Sequence, residues 1–162
     1  MGQYVLEIGS TSLDVFGEIV EGGSLLGSSS AQVLPWGQRE SMVYSPSDLS
    51  LGEVLNGLAR QSLASAVWRD VQSGIRYVLV YCPHFADSGL DLWLCTIEYT
   101  DDTWKTIWNE LDAYPDVRFA CVSQEEGLLI SDAQLSPDTF PWSDPSLLVA
   151  AVRSASGAWI SR

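Results

Sequence analysis

The order of apolar and polar residues predicts a chain of mixed α and β structure. Strands are indicated where apolar, β-branched and aromatic residues alternate or cluster between turn residues. The predicted strands are Tyr4–Ile8, Leu13–Val20, Gln32–Trp36, Ser41–Tyr44, Arg76–Pro83, Leu90–Thr100, Val117–Ser123, Leu128–Ile130 and Ala158–Ile160. The two central segments suit an antiparallel hairpin in which Val80 faces Ile97 and Cys82 faces Cys95.

Apolar residues that recur at intervals of three and four predict the helices. Ser47 or Asp48 caps the first, whose apolar stripe runs over 51–58 and is followed by a second stripe over 63–71. Another opens at 101–102 and buries Trp104, Ile107, Trp108 and Leu111, and a last one starts at 143–145 and runs over 147–155. We therefore expect an α+β fold, a single domain over residues 1–162 with a mainly antiparallel sheet and about three packed helices.

The length and composition of the chain fit one ordered domain that needs no disulfide bond or metal ion for its stability. The chain has 162 residues, 46% of them hydrophobic and 18% charged, which is enough to bury a substantial core. Three cysteines at 82, 95 and 121 lie in apolar runs and read as reduced thiols. No apolar run approaches a membrane span, and residues 1–7 lack the pattern of a signal peptide, so we expect a cytoplasmic protein.

Charge is the feature that narrows the function. The chain carries 21 acids against 8 bases, a net charge of −13, and residues 77–146 hold most of the excess. Phosphate backbones and anionic membrane surfaces attract Lys and Arg, so the composition disfavours nucleic acid and membrane partners. A basic protein is the partner that this charge favours.

Few residues suggest catalysis or metal binding. His84 is the one histidine, and with Cys82, Cys95 and Cys121 it could form a zinc site or supply a thiol nucleophile. The carboxylate pairs Asp91 with Glu98 and Glu125 with Asp132 could do acid–base work. A packed core explains the thiols and a solvated face explains the acids, so we expect no cofactor, no metal and no catalytic residue.

An acidic surface is the candidate site. Outward-facing acids of the helix near 101–116 and acids from nearby turns would form one negative face beside Trp142. Trp36 and Trp142 each follow a proline in an irregular segment, where an aromatic ring is available to a partner. The predicted partner-binding residues are Asp101, Asp102, Asp112, Asp116, Glu125, Glu126, Asp132, Asp138, Trp142 and Trp36.

The profile resembles the small acidic cytosolic immunity proteins that bacteria encode beside polymorphic or contact-delivered toxins. The resemblance rests on size, acidity, tryptophan content, the segment Thr103–Trp142 and the run Thr139–Trp142 followed by Leu147–Arg153. It implies a non-catalytic inhibitor that binds a toxin domain and occludes its active site or substrate groove. No site residue of a family carries over.

Three other functions stay open from the residues alone. One is a small enzyme that uses a carboxylate pair or Cys82 and His84. Another is a structural or adaptor protein of a phage or secretion system, which would assemble through the same surface. The last is a nucleic-acid mimic whose acids would lie at phosphate-like intervals.

Overall fold

Nine strands pair side by side in one antiparallel sheet among the residues that the structure describes. The computed structural model describes residues 3–22, 31–35, 44–69, 75–81, 92–124, 128, 130 and 134–161. The strands are β1 (Tyr4–Ser10), β2 (Gln32–Pro35), β3 (Ser45–Pro46), β4 (Leu63–Arg69), β5 (Ile75–Tyr81), β6 (Trp93–Tyr99), β7 (Val117–Gln124), β8 (Leu147–Arg153) and β9 (Trp159–Ser161). The helices are α1 (Asp14–Gly22), α2 (Leu51–Ala59) and α3 (Trp104–Trp108), and a 3-10 turn covers Leu111–Ala113. The predicted α+β class is confirmed.

The order of strands places β1 in the interior of the sheet. Across the sheet the order is β3-β2-β4-β5-β6-β1-β7-β8-β9, so β1 lies between β6 and β7. Both neighbours run antiparallel to β1 and hence parallel to each other. Residues 100–116, which we call the crossover, must therefore pass over β1 to join β6 to β7. Because of this connection, α3 and the acids that flank it in the crossover lie on the outside of the sheet.

The two faces of the sheet carry different layers. On the helix face, Leu6 and Ile8 of β1 join one core cluster with Phe16 of α1, Val54 of α2 and Trp104 of α3. On the second face, Phe119 and Cys121 of β7 pack with Phe140, which belongs to the segment over 134–146. Successive side chains of a strand point to opposite faces, so a residue's position in its strand decides which layer it meets.

The helix α2 begins at a different cap from the one predicted. Ser50, rather than Ser47 or Asp48, is the N-cap, and its hydroxyl accepts the Glu53 N–H while the Glu53 carboxylate accepts the Ser50 N–H. The predicted apolar stripe is confirmed, because Leu51, Val54 and Leu58 are buried.

The prediction of a strand over Leu13–Val20 is wrong, because α1 occupies this stretch. Ser12 Oγ accepts the Asp14 N–H at 3.2 Å, and the Phe16 N–H bonds Leu13 O at 3.1 Å, which starts the helix. The apolar residues at 13 and 15 alternate as in a strand, but those at 13, 16 and 20 also fit a helical stripe.

Two predicted helices are strands instead. The stretch over 63–71 contains β4, and the stretch over 147–155 contains β8. Residues 63–68 are all buried, as are 150–152, so both faces of these strand segments are shielded from solvent. Such strands read as continuous apolar runs and are easily mistaken for buried helices. Asp144 does not cap a helix but accepts the Ser146 N–H at 2.9 Å in a turn.

The predicted central hairpin is confirmed as the antiparallel pair β5–β6, with a register shifted by two residues. Val80 faces Cys95 and Val78 faces Ile97. A shift of two residues keeps every side chain on its predicted face. Residues 82–91, which include Cys82, lie outside the described residues, as does most of the predicted strand over 41–44.

Most remaining sequence predictions agree with the structure. The strands predicted at 4–8, 32–36, 117–123 and 158–160 correspond to β1, β2, β7 and β9. The helix predicted at 101–111 is confirmed in shorter form as α3 and the 3-10 turn, with Trp104 and Leu111 buried. The predicted strand over 128–130 is wrong, because Leu128 and Ile130 lie outside the strands.

Gly9 on β1 leaves space that Phe119 fills, which yields a stability prediction. A Cβ at Gly9 would lie 2.6 Å from Phe119 Cδ1 and closer still to Cε1. We expect Gly9→Ala to lower the free energy of unfolding by about 1–3 kcal/mol, because the fully buried ring must move. Denaturant unfolding measures the change.

The control is Gly52→Ala on α2, where a Cβ meets nothing within 4 Å. That substitution should be neutral or should stabilise by up to about 1 kcal/mol. Adding Phe119→Leu to Gly9→Ala should recover part of the loss. An unchanged unfolding midpoint for Gly9→Ala would contradict the account of this contact.

Candidate binding surface at one end of the sheet

The crossover separates the predicted acids into two groups. Asp101 and Asp102 follow β6 at the end of the sheet where Tyr4 faces Tyr99. Asp112 and Asp116 precede β7 at the opposite end, where Ser10 faces Val117. All four are exposed. A strand of seven residues such as β1 holds its ends about 20 Å apart, so the groups do not form one cluster.

At the Ser10 end, α1 adds acids that the sequence prediction did not include. The Tyr114 hydroxyl hydrogen-bonds the Glu18 carboxylate, and Glu110 also acts on this phenol. The Glu18 bond raises the pKa of Tyr114 above its ordinary value, with a smaller contribution from burial and the two charges. The Thr11 N–H donates to Asp116 O at 2.9 Å, which ties the start of α1 to the crossover.

We name this surface the acidic end. It consists of exposed acids from α1 and the crossover: Asp14, Glu18, Glu110, Asp112 and Asp116. Asp14 and Glu18 are four residues apart on α1 and so share one side of the helix. Their charges add to those of the crossover, so the surface presents a strong negative potential.

A cleft of about 390 Å³ opens beside the acidic end. Thr11 and Ser12 line it from the β1–α1 connection and Asp14 from the start of α1, while Gln61 lines it from the chain just after α2 and Trp93 from the start of β6. Trp93 is half-buried, with its ring packed against the core of the helix face. The cleft thus combines an aromatic ring, hydroxyl groups, an amide and a carboxylate.

Arg153 fixes the crossover to the end of β8. Its guanidinium donates to Val117 O at 2.9 Å, Tyr114 O at 3.0 Å and Asp112 O at 3.2 Å. It also donates to Gly157 O at 3.1 Å and lies 4.8 Å from the centroid of the Trp159 ring. Five donors in a planar fork suit this task, because several carbonyl groups converge on one side chain. The position of the acidic end therefore depends on a residue far along the chain.

Trp142 and Asp138 lie on the other side of the sheet. The Trp142 ring is 4.8 Å from that of Phe140, in the cluster on the second face. Its indole N–H donates to Pro137 O at 2.7 Å, and the side chain is half-buried. Asp138 is exposed in the same segment. The structure therefore does not bring Trp142 beside the acids of the crossover, because the sheet lies between them.

The other predicted partner-binding residues are not part of the acidic end. Asp101 accepts the Thr103 hydroxyl at 2.7 Å and the Thr103 N–H at 3.0 Å, and these bonds hold the pKa of its carboxyl below the ordinary value. Asp102 lies 3.5 Å from the Lys105 ammonium in an exposed pair. The remaining predicted residues lie outside the described residues: Trp36, Glu125, Glu126 and Asp132.

The structure describes two of the three cysteines, and both are in the core. Cys95 and Cys121 are fully buried, and burial raises the pKa of each thiol well above its ordinary value, so both stay protonated. Cys82 and His84 lie outside the described residues. Within the part of the chain that is described, no three His, Cys, Asp or Glu side chains are placed to hold a metal ion. No helix there is long and apolar enough to cross a membrane.

Two buried carboxylates lie on the second face. Glu7 of β1 faces Thr96 of β6, and Glu98 lies two residues after Thr96 on that strand. Glu7 and Glu98 are each less than 8% exposed. The Glu7 carboxylate accepts the Leu128 N–H at 2.6 Å, and the Gln3 amide donates to Glu98. Burial raises the pKa of Glu7, and the bond from Leu128 offsets part of this effect. Of the predicted pairs, Asp91, Glu125 and Asp132 lie outside the described residues.

The sequence prediction missed Asp14, Glu18 and the contribution of Trp93 to a cleft. Because residues 13–20 were predicted as a strand, the four-residue spacing of Asp14 and Glu18 did not indicate that they share one side of a helix. A signal was present: Ser12 precedes Asp14 in the pattern of a capped helix whose first turn holds an acid.

Comparison of the chain with protein-family models, with curated proteins and with solved structures finds no match.

The Arg153 contacts predict a specific loss of stability. We expect Arg153→Met to lower the free energy of unfolding by about 1.5–3 kcal/mol, because four carbonyl groups, including that of the buried Val117, lose a charged donor. Arg153→Lys should recover little, since an ammonium lacks the planar fork. Arg60→Met is the control, because the Arg60 side chain is exposed. Equal unfolding midpoints for the Arg153 and Arg60 variants would contradict this role.

The buried carboxylate of Glu7 predicts a pH dependence. A carboxyl whose pKa is raised on folding binds its proton more tightly in the folded state, so stability falls as pH rises above about 4.5. Glu7→Gln keeps an oxygen for the Leu128 N–H and removes the charge. We expect it to match the parent at pH 4 and below and to be more stable at pH 7, as measured by thermal unfolding across pH.

Glu53 provides a control of opposite sign. Its bonds with Ser50 lower the pKa of its carboxyl, so its charge favours folding as pH rises. Glu53→Gln should not gain stability at pH 7 relative to pH 4. A Glu7→Gln variant whose stability relative to the parent is independent of pH would show that the Glu7 carboxyl is solvated.

Proposed function

We propose that this protein is a non-catalytic immunity protein that neutralises a cognate toxin in the cytoplasm by binding it. The observation that carries the proposal is the acidic end, where five exposed acids from α1 and the crossover converge. A net charge of −13 extends this potential over the molecule. A partner that binds here has a basic surface, such as the active site or substrate groove of a toxin that acts on nucleic acid or a nucleotide.

The concentration of these acids at one end of the sheet favours a role in binding over a role in solubility alone. Charges spread evenly over a surface keep a protein soluble, but acids concentrated at one end steer and select a basic partner. Arg153 and the Thr11–Asp116 bond fix the backbone that carries them. A fixed surface loses less conformational entropy on binding than a mobile one.

The proposal is tested by reversing charge at the acidic end. The double variant Asp112→Lys with Asp116→Lys leaves the structural bonds in place, because Arg153 and Thr11 use only the backbone oxygens of these residues. Titration against the toxin domain encoded by the neighbouring gene should show a Kd at least about tenfold higher than that of the parent. Protection of cells that express the toxin should fall with it.

The matched control is Asp102→Lys with Asp138→Lys, which makes the same charge change at two exposed positions away from the acidic end. Its Kd should stay within about threefold of the parent, since distant exposed charges are screened at physiological salt. Absence of a complex at micromolar concentration would remove the proposal. Equal losses in the two double variants would show a general effect of net charge and would remove the acidic end as the site.

A further inference from the structure

The cleft beside the acidic end holds groups that together suit a cationic, planar ligand. Both Trp93, which carries an indole ring, and the exposed Asp14, which carries a carboxylate, line the cleft. Thr11, Ser12 and Gln61 add hydroxyl and amide oxygens that accept hydrogen bonds. None of the residues that line the cleft is a lysine or an arginine.

We infer that this cleft receives an arginine side chain of the basic partner, an inference that rests on the proposed function. A guanidinium group is planar, stacks on aromatic rings and donates two parallel hydrogen bonds to a carboxylate. Trp93 supplies the ring and Asp14 the carboxylate. A lysine ammonium would use the charge but not the planar surface, so arginine uses more of what the cleft offers.

The surrounding charge selects a cation over other ligands. The Thr11 N–H bonds Asp116 O, so a crossover residue of the acidic end adjoins the cleft. Together with Asp14 and Glu18, this residue repels an anion and attracts a cation. A neutral sugar could use the hydroxyl groups and the ring but would gain nothing from the charge. Arg60 adjoins the lining residue Gln61, but its own side chain does not line the cleft.

Hydrogen bonds fix both walls of the cleft before any ligand arrives. On one wall the fully buried Ser10 hydroxyl donates to Ser12 O at 2.9 Å and accepts the Ser12 N–H at 3.1 Å. On the other, Gln61 has a φ of 60° and its N–H donates to Leu58 O at 3.1 Å. A site that is formed in the free protein binds without the entropic cost of ordering its walls.

The test uses N-acetyl-L-arginine amide as the probe and the protein alone. The indole N–H signal of Trp93, assigned with Trp93→Phe, is followed by NMR during titration at millimolar concentrations. We expect that signal to shift saturably, and Asp14→Asn to weaken binding about threefold or more. Asp102→Asn, which removes an exposed charge elsewhere, should leave the titration unchanged. N-acetyl-L-citrulline amide has the same shape without the charge and should give no saturable shift.

Several results would overturn the inference. An unmoved Trp93 signal, or equal binding of the citrulline amide, would show that the cleft does not select a guanidinium group. Saturable binding of glucose in preference to the arginine amide would assign the cleft to a neutral ligand. Asp14 is exposed, so Asp14→Asn tests the inference without depending on how Trp93→Phe folds.

The same variants separate this inference from the proposed function. Arginine amide binding in a protein that forms no complex with the toxin domain would remove the function and keep the cleft. A complex that weakens with Asp112→Lys and Asp116→Lys but not with Asp14→Asn would keep the function and remove the cleft as its anchor. Loss of affinity for the toxin in both sets supports the two together.

Discussion

The insertion of β1 between β6 and β7 is the constraint on which the described surface depends. Because these two strands are adjacent along the described part of the chain but not adjacent in the sheet, residues 100–116 must cross over β1. That path takes α3 over the helix face and returns the chain to the Ser10 end, where α1 also begins. Acids from two distant parts of the sequence meet there for topological reasons, before any charge interaction is considered.

The sheet also keeps two kinds of acidic residue apart. Those at the acidic end are exposed, and their charge is available to a partner. Glu7 and Glu98 are buried on the second face, where each accepts a hydrogen bond and Glu7 holds the backbone at Leu128. Burial of a carboxylate is costly and hydrogen bonds offset part of that cost here, whereas the exposed carboxylates act over a distance. Net charge alone does not distinguish these roles.

Local pattern was sufficient for the fold class and for the elements with one buried face. The stripe of α2, the crossover helix and the β5–β6 pair follow from spacing, and the strand β1 follows from its apolar run. It was insufficient for β4 and β8, because strands buried on both faces lose the alternation that identifies them. The local pattern was also insufficient for α1, because the spacing of Leu13, Val15 and Phe16 fits a strand as well as a helix. The acidic end includes part of that helix, so two of its five residues, Asp14 and Glu18, went unrecognised. Trp142 and Asp116 lie on opposite sides of the sheet. The local pattern could not show this, because the build of the sheet depends on pairing between strands far apart in sequence.

Arg153 draws its partners from a wide span of the chain, since its guanidinium contacts Asp112, Tyr114 and Val117 on one side and Gly157 and Trp159 on the other. During synthesis the crossover emerges from the ribosome some forty residues before this arginine does. A nascent chain therefore carries the acids without the side chain that sets their backbone. The backbone of the acidic end is therefore fixed only once β8 and β9 have been made, and a ribosome-bound fragment that stops before Arg153 would present the same charges in an unfixed arrangement.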